Sequence, residues 1–240
     1  MSGRTATRQR KLEPESRDID ESVFRSLNIQ RFAESAEDRE GEIIVAAFRC
    51  ISSLGISATT TRAVAQSAGM NLGAIHYYFD SKDALMLGVL KAVMKHKIKR
   101  FDIVRQSALT PTQKIYYLLR SGSSFIQDRE EVIATITLWA HAVAQGGVWQ
   151  STYRKPFNEL RAVLKAIIDE GIAAGEFANT DSTTVAETIF FGVQGISMQY
   201  IMAPADFDRE SLTDRLISLF SRLLGIKKFD TPKPLRGAPR

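Results

Sequence analysis

Cysteine is almost absent from this 240-residue chain, with Cys50 the only one. A single thiol excludes an internal disulfide framework and fits a reducing compartment, so the cytoplasm is the expected location. Histidine is scarce too. His76, His96 and His141 show no i, i+4 pairing and Cys50 has no CxxC partner, so no metal and no other cofactor is expected. No apolar run reaches the roughly 18 residues of a membrane span. The basic opening MSGRTATRQRKLE lacks the hydrophobic stretch of a secretory signal, so no membrane partner is expected. A phosphate loop, a GxSxG elbow and a dinucleotide-binding fingerprint are all missing, and the chain is not expected to be an enzyme. Alternating strand patterns are missing as well. What is present is helical periodicity along most of the chain, and the expected fold class is all-α with about nine helices.

The net charge of +5 is unevenly spread. Residues 1–37 balance seven basic against seven acidic groups, and their polar, aperiodic composition reads as a disordered N-terminal arm. Residues 38–110 carry ten basic against six acidic groups, whereas residues 111–225 carry ten against thirteen. That is the asymmetry of a nucleic-acid reader joined to a module with another task. The expected organisation is a DNA-binding domain over 38–84, a helical effector-binding and dimerisation domain over 85–224, and a disordered basic tail over 225–240.

Residues 60–82, TTRAVAQSAGMNLGAIHYYFDSK, carry the most information. They read as two short helices joined by a tight turn. Ala65 is small enough for close helix approach, and Gly69 supplies the positive φ that a sharp inter-helix turn needs. Val64, Ala68, Met70 and Ile75 form the buried face, with Thr60 and Asn71 as N-caps of the two helices. A preceding helix spans 39–54 and stops at Gly55. This is a helix-turn-helix layout, whose second helix enters the major groove. Asn71, Leu72, Gly73 and Ala74 then face base edges, Arg62 reaches a guanine edge or a phosphate, and Thr60, Thr61, His76, Tyr77 and Lys82 suit backbone phosphates. Phe79 reads as core, while Tyr78 fits either core or surface.

The succession Thr60, Val64-Ala65, Ala68-Gly69-Met70, Gly73, Ile75, Tyr77-Tyr78-Phe79, Ser81-Lys82-Asp83 and Leu85 resembles the DNA-binding signature of the tetracycline-repressor-like (TetR) family. The resemblance runs over residues 39–90, with more than a dozen positions in order and register. One position departs from the pattern. The aromatic run usually opens with Tyr and here opens with His76, which keeps a ring with a polar tip. The resemblance implies a transcriptional regulator, by family habit a repressor. It also implies that Lys82 grips phosphate at the start of a long helix, that an effector binds in the helical body, and that two copies dimerise through the last two helices.

Beyond the motif, Asp80 or Ser81 caps a long helix over 82–107. Its inner stripe includes Leu85, Leu90, Met94 and Phe101, and Lys91, Lys95, Lys97, Lys99 and Arg100 lie on an outer face, most of it read as solvated. Further helices are expected over 111–127, 130–144, 149–174, 182–202 and 208–224. Val185, Ile189, Gly192, Val193, Ile196 and Tyr200 on one of the last two, and Leu212, Leu216, Leu219 and Leu223 on the other, are candidates for a four-helix homodimer interface. Such a dimer predicts a palindromic double-stranded operator with half-sites roughly 34 Å apart. Tyr117, Phe125, Trp139, His141, Trp149, Phe191, Gln194 and Met198 are candidates to line a pocket for a small-molecule effector. Two other readings compete: an effector-independent architectural DNA-binding protein, and a helical small-molecule binder whose DNA-reading head is vestigial.

Overall fold

The computed structural model describes Phe32, Ala36, residues 38–124 and residues 129–226. The rest of the expected arm, the tail beyond Ile226 and the pocket candidate Phe125 lie outside the described residues. Within them the chain forms nine α-helices, one 3-10 turn at Pro204–Asp206 and no strand. The helices are α1 (Arg39–Ala58), α2 (Thr61–Ala68), α3 (Leu72–Tyr78), α4 (Lys82–Gln106) and α5 (Pro111–Ser124), followed by α6 (Arg129–Gln145), α7 (Gly147–Ala173), α8 (Ser182–Met202) and α9 (Arg209–Leu223).

Side-chain oxygens set most of the starts. Asp38, Thr60, Asn71, Ser81 and Asp208 each accept a hydrogen bond from the backbone N–H three residues ahead, satisfying donors that a helix leaves open. Of the two candidate caps for α4, Ser81 is the one used. Gly55 interrupts α1 at φ 77°, but the chain recovers one more turn before Thr59, whose N–H returns to the Gly55 carbonyl. The first helix is therefore kinked at the expected glycine and runs beyond it.

Helix α1 is long and apolar enough, by length and composition, to cross a membrane. Ile43, Ala46, Ala47, Phe48 and Ile51 on it are buried in the protein core. That core is continuous from the first helix to the last. Helix α1 packs against α2, α4 and α6, so the N-terminal head is seated on a helix of the body as well as on the long α4. The Phe32 ring lies 4.6 Å from Phe48 and 5.7 Å edge-on from His96, filling the junction between α1 and α4.

The body is tied by contacts far apart in sequence. Lys114, almost fully buried on α5, reaches the Glu170 carboxylate on α7 at 3.0 Å. The Glu176 carboxylate accepts from both the backbone N–H (3.0 Å) and the hydroxyl (2.7 Å) of Thr112, capping α5 from the loop after α7. In that loop Phe177 lies flat against Gly171, where any Cβ would come within 2.2 Å of the ring. Ala178 N–H bonds the Leu224 carbonyl at 2.8 Å, and Arg120 pairs with Asp214 on α9 at 3.1 Å.

One expectation for α4 fails. Lys97 does not lie on a solvated face. It is buried and Arg100 is half-buried, while Lys91, Lys95 and Lys99 are exposed. Burial lowers the Lys97 pKa and the facing Glu131 carboxylate on α6 raises it, with burial the larger influence. A stem of four methylenes let this lysine turn inward toward an acid that no local pattern could pair with it.

Candidate nucleic-acid interface and effector cavity

The head is assembled from short-range contacts. Thr60 Oγ1 accepts from Ala63 N–H at 3.1 Å and starts α2, whose Val64 and Ala65 are buried. Gly69 ends the helix in the left-handed conformation, φ 65° and ψ 28°, and its neighbour Met70 N–H returns to the Ala65 carbonyl at 2.9 Å. Asn71 Oδ1 then accepts from Ala74 N–H at 2.8 Å and starts α3. Ile75 anchors α3 in the core, and Phe79 follows it inward, pressed against Gly88 of α4, where a Cβ would meet the ring at 2.9 Å. The glycine seat for Phe79 was readable only once the partner was known.

With Ile75 and Phe79 turned in, the remaining residues of the short helix turn out. Asn71, Gly73, His76 and Tyr77 are exposed, Leu72 and Ala74 are half-buried, and Arg62 on α2 is exposed. Tyr77 is 83 % exposed, with the Tyr78 ring 5.0 Å away and edge-on to it. Tyr78, open between core and surface in the sequence, is on the surface. Thr61 is half-buried beside the cap. Lys82 has a structural bond of its own. Its Nζ donates to the Ser57 carbonyl at 2.9 Å, closing the end of α1 onto the start of α4. A lysine at a helix C-terminus is favoured both as donor and as charge.

The body encloses a cavity of about 570 Å³ among α4, α5, α6, α7 and α8. Four of the expected pocket residues line it: Trp139, Phe191, Gln194 and Met198. Tyr117, His141 and Trp149 do not. Tyr117 is buried with its ring edge-on to Tyr116, and His141 packs edge-on to Trp149 at 4.6 Å on the side of α6 away from the cavity lining. Trp139 and His141 are only two positions apart on α6, and a helix turns about 200° over that step, so both cannot face one space. Tyr153, Phe157 and Phe190 add an aromatic wall, with Tyr153 stacked on Phe157 at 4.1 Å and Phe157 edge-on to Phe190 at 5.0 Å. Burial pushes the Tyr153 hydroxyl pKa up, so it stays neutral in the physiological range.

The polar lining was not legible beforehand. Lys97 and Glu131 lie in the wall, and Thr135 Oγ1 is buried there with no hydrogen-bond partner among the described residues. Gln150, Arg154, Asn158 and Arg161 line the α7 side at helical spacing. The Arg161 guanidinium lies over the Phe190 and Phe191 rings at 5.9 and 5.6 Å. Among the described residues no cluster of His, Cys, Asp and Glu could hold a metal ion.

On α8 and α9 the proposed interface residues divide. Val185, Ile189 and Leu216 are buried within the chain itself, Gly192 faces Phe220, and Val193 faces the cavity. Ile196, Tyr200 and Leu212 are half-buried, while Leu219 and Leu223 are about half exposed, as are Phe191 and, more fully, Met202.

Residues 43–89 match the family model described as bacterial regulatory proteins, tetR family. Residues 123–225 match the BetI-type transcriptional repressor C-terminal model. The chain is 24 % identical to the HTH-type transcriptional regulator PksA of Bacillus subtilis, over 73 % of this chain and 85 % of that protein. It is 30 % identical to the HTH-type transcriptional regulator BetI of Brucella abortus, over 43 % of this chain and 53 % of that one. The crystal structure of the transcriptional regulator FadR from Bacillus subtilis in complex with stearoyl-CoA shares the fold with a TM-score of 0.64, at 21 % identity over 75 % of this chain and 96 % of that one.

Proposed function

The chain belongs to the TetR family of bacterial regulatory proteins, a family of transcriptional regulators rather than enzymes, and from that premise we propose that it is a sequence-specific repressor released from its operator by a small molecule. The observation that carries this reading is the outward surface of α3, where Gly73, His76 and Tyr77 are exposed and Ala74 half-buried while Ile75 and Phe79 hold the helix to the core. Arg62, Asn71, Leu72, Gly73 and Ala74 read bases in the major groove. Thr60, Thr61, His76, Tyr77 and Lys82 hold backbone phosphates. Lys82 does so while keeping its bond to Ser57, since an ammonium has three donors.

One head reads few bases, so two copies act together on a palindrome. Leu219, Leu223 and Tyr200 on α8 and α9, joined by exposed Phe191 and Met202, supply the apolar surface for that pairing. The cavity holds the effector. Because α6 both lines the cavity and packs against α1, a ligand that binds two placements of α6 unequally shifts the heads. The stearoyl-CoA named with the FadR structure is consistent with an effector in this fold.

The test is selection of genomic fragments by the purified protein, followed by salt titration on the best fragment and on random DNA. A regulator prefers the selected fragment by about 10³-fold or more at moderate salt. Arg62→Ala loses most of its affinity on the selected fragment, whereas Lys82→Ala weakens all DNA alike and flattens the salt slope. Equal binding to both DNAs sinks this reading in favour of an architectural protein, and no binding at low salt in favour of a vestigial head.

A further inference from the structure

We infer that the cavity takes an anionic amphiphile, with an apolar chain inside and its negative head at Arg154 and Arg161. The inference rests on the effector role proposed above and names the chemistry of that same site. The wall is chiefly aliphatic and aromatic, which suits a hydrocarbon body. Its charged members are Lys97, Glu131, Arg154 and Arg161. Lys97 faces the Glu131 carboxylate across α4 and α6, an acid that also acts on the charge of Arg100. The two arginines have no such counterpart, for among the described residues no carboxylate pairs with either.

Their placement gives the pair its meaning. Gln150, Arg154, Asn158 and Arg161 lie at i, i+4, i+8 and i+11 on α7, one stripe of a single helix. Gln150, Arg154 and Asn158 are exposed, and Arg161 is half-buried with its guanidinium over Phe190 and Phe191. Asn158 Oδ1 accepts from Arg161 and holds it there. The stripe therefore marks the edge of the cavity that meets water, and it carries two uncompensated positive charges among two amides and two guanidinium forks. A carboxylate or phosphate head accepts from such forks in bidentate fashion. A cationic or neutral amphiphile would find repulsion, or unfilled donors, at the same place. A fatty carboxylate and an acyl thioester of a phosphorylated carrier share this chemistry.

Trp139 supplies the readout. The chain has two tryptophans, and Trp139 lines the cavity while Trp149 does not. In full-length Trp149→Phe protein, emission is followed during titration with palmitate, palmitoyl-CoA, dodecanol and dodecyltrimethylammonium, all below micelle formation. Palmitate or palmitoyl-CoA is expected to change the Trp139 signal saturably, and lengthening the chain tightens binding several-fold per two carbons. Arg154→Glu weakens the anionic probes by about tenfold and Arg161→Gln by a similar factor, with dodecanol unaffected. Binding of palmitoyl-CoA alone would place phosphates at the arginines, and binding of palmitate as well would show that one carboxylate suffices. Arg154 is exposed and pairs with no carboxylate among the described residues, so its variant is expected to fold and decides the matter should Arg161→Gln melt early. The inference is overturned if dodecyltrimethylammonium binds as well as palmitate, if Arg154→Glu changes nothing, or if neither anionic probe saturates. Gel shifts on the selected operator run in parallel separate the two claims. An anionic amphiphile that binds yet leaves the operator occupied supports the ligand class and refutes effector release. Release by an uncharged or cationic metabolite does the reverse.

Discussion

The head and the body are built from contacts of different reach. In the head, Thr60 caps α2 three residues on, Asn71 caps α3 three residues on, and Gly69 turns the chain between them. In the body, Glu176 caps α5 from 64 residues away, and Lys114 finds Glu170 across 56. Both regions solve the same problem, satisfying helix ends and seating helices on one another. The head solves it inside a motif of about twenty residues, so its sequence states the answer. The body solves it between elements whose proximity is known only after folding.

Glycine gives the sharpest way to break this contrast, and the largest effect. Gly171 has an ordinary helical backbone, yet a Cβ there would sit 2.2 Å from the Phe177 ring. Gly171→Ala should lower stability by about 1–3 kcal/mol in urea or thermal melts, because a ring tied into the turn by its backbone bond to Gly171 must move. Gly69 is the opposite case: nothing stands within 4 Å of its Cβ position, and the whole demand comes from φ 65°. Gly69→Ala should cost about 1–2 kcal/mol from left-handed backbone alone. A Phe177→Leu background should recover part of the Gly171→Ala loss and none of the Gly69→Ala loss. Recovery of both, or of neither, would mean that the two glycines do not differ as described.

A smaller effect compares the two kinds of cap. Asn71→Ala removes the Oδ1 that accepts from Ala74 N–H and should cost about 1 kcal/mol, with weaker operator binding as α3 frays. Glu176→Ala removes the acceptor of two Thr112 donors and, with it, a tie between the α7 loop and α5. Hydrogen exchange separates them. Amides of α3 alone should lose protection in the first variant, whereas amides of both α5 and the α7 loop should lose it in the second. If exchange stays local in both, the reach of the contact has no cooperative consequence.

This difference in reach also sets what could be read in advance. The all-α class, the helix boundaries to within a few residues, both head caps and the Gly69 turn follow from patterns contained in short windows. The cavity wall does not. Trp139 lines the cavity and His141, two residues later, does not, because composition nominates aromatic residues without saying which face of α6 looks inward. Lys97 reads as solvated because Glu131, the acid it faces, lies on another helix. Arg154 and Arg161 give no signal in the sequence for the same reason: a basic residue on a helix reads as solvated surface until the apolar space beside it is known. Val185, Ile189 and Leu216 show the converse, apolar stripes that serve the chain's own core as readily as a partner's.

The smallest expected effect tests whether a local cap in the body behaves like those of the head. Asp181 starts α8, and its carboxyl pKa is held below the ordinary 3.8, first by the Thr184 hydroxyl and then by the backbone N–H groups of Thr184 and Thr183. A carboxyl lowered in this way favours the folded state above its unfolded pKa, and the contribution disappears as pH falls through the lowered folded value. Thr184→Val removes the leading donor, so the Asp181 titration followed by NMR should move up toward 3.8. The melting difference between parent and variant should be present at neutral pH and shrink as acid protonates the cap. Asp181 is fully exposed, so water competes for every one of these bonds and the difference will be small. Asp169 lies nearby, lowered chiefly by Lys165 and then by Ser182, and its titration should stay where it is. Movement of both acids together would mean that the start of α8 titrates as one coupled unit, and that its cap, unlike that of Asp208 on α9, is not self-contained.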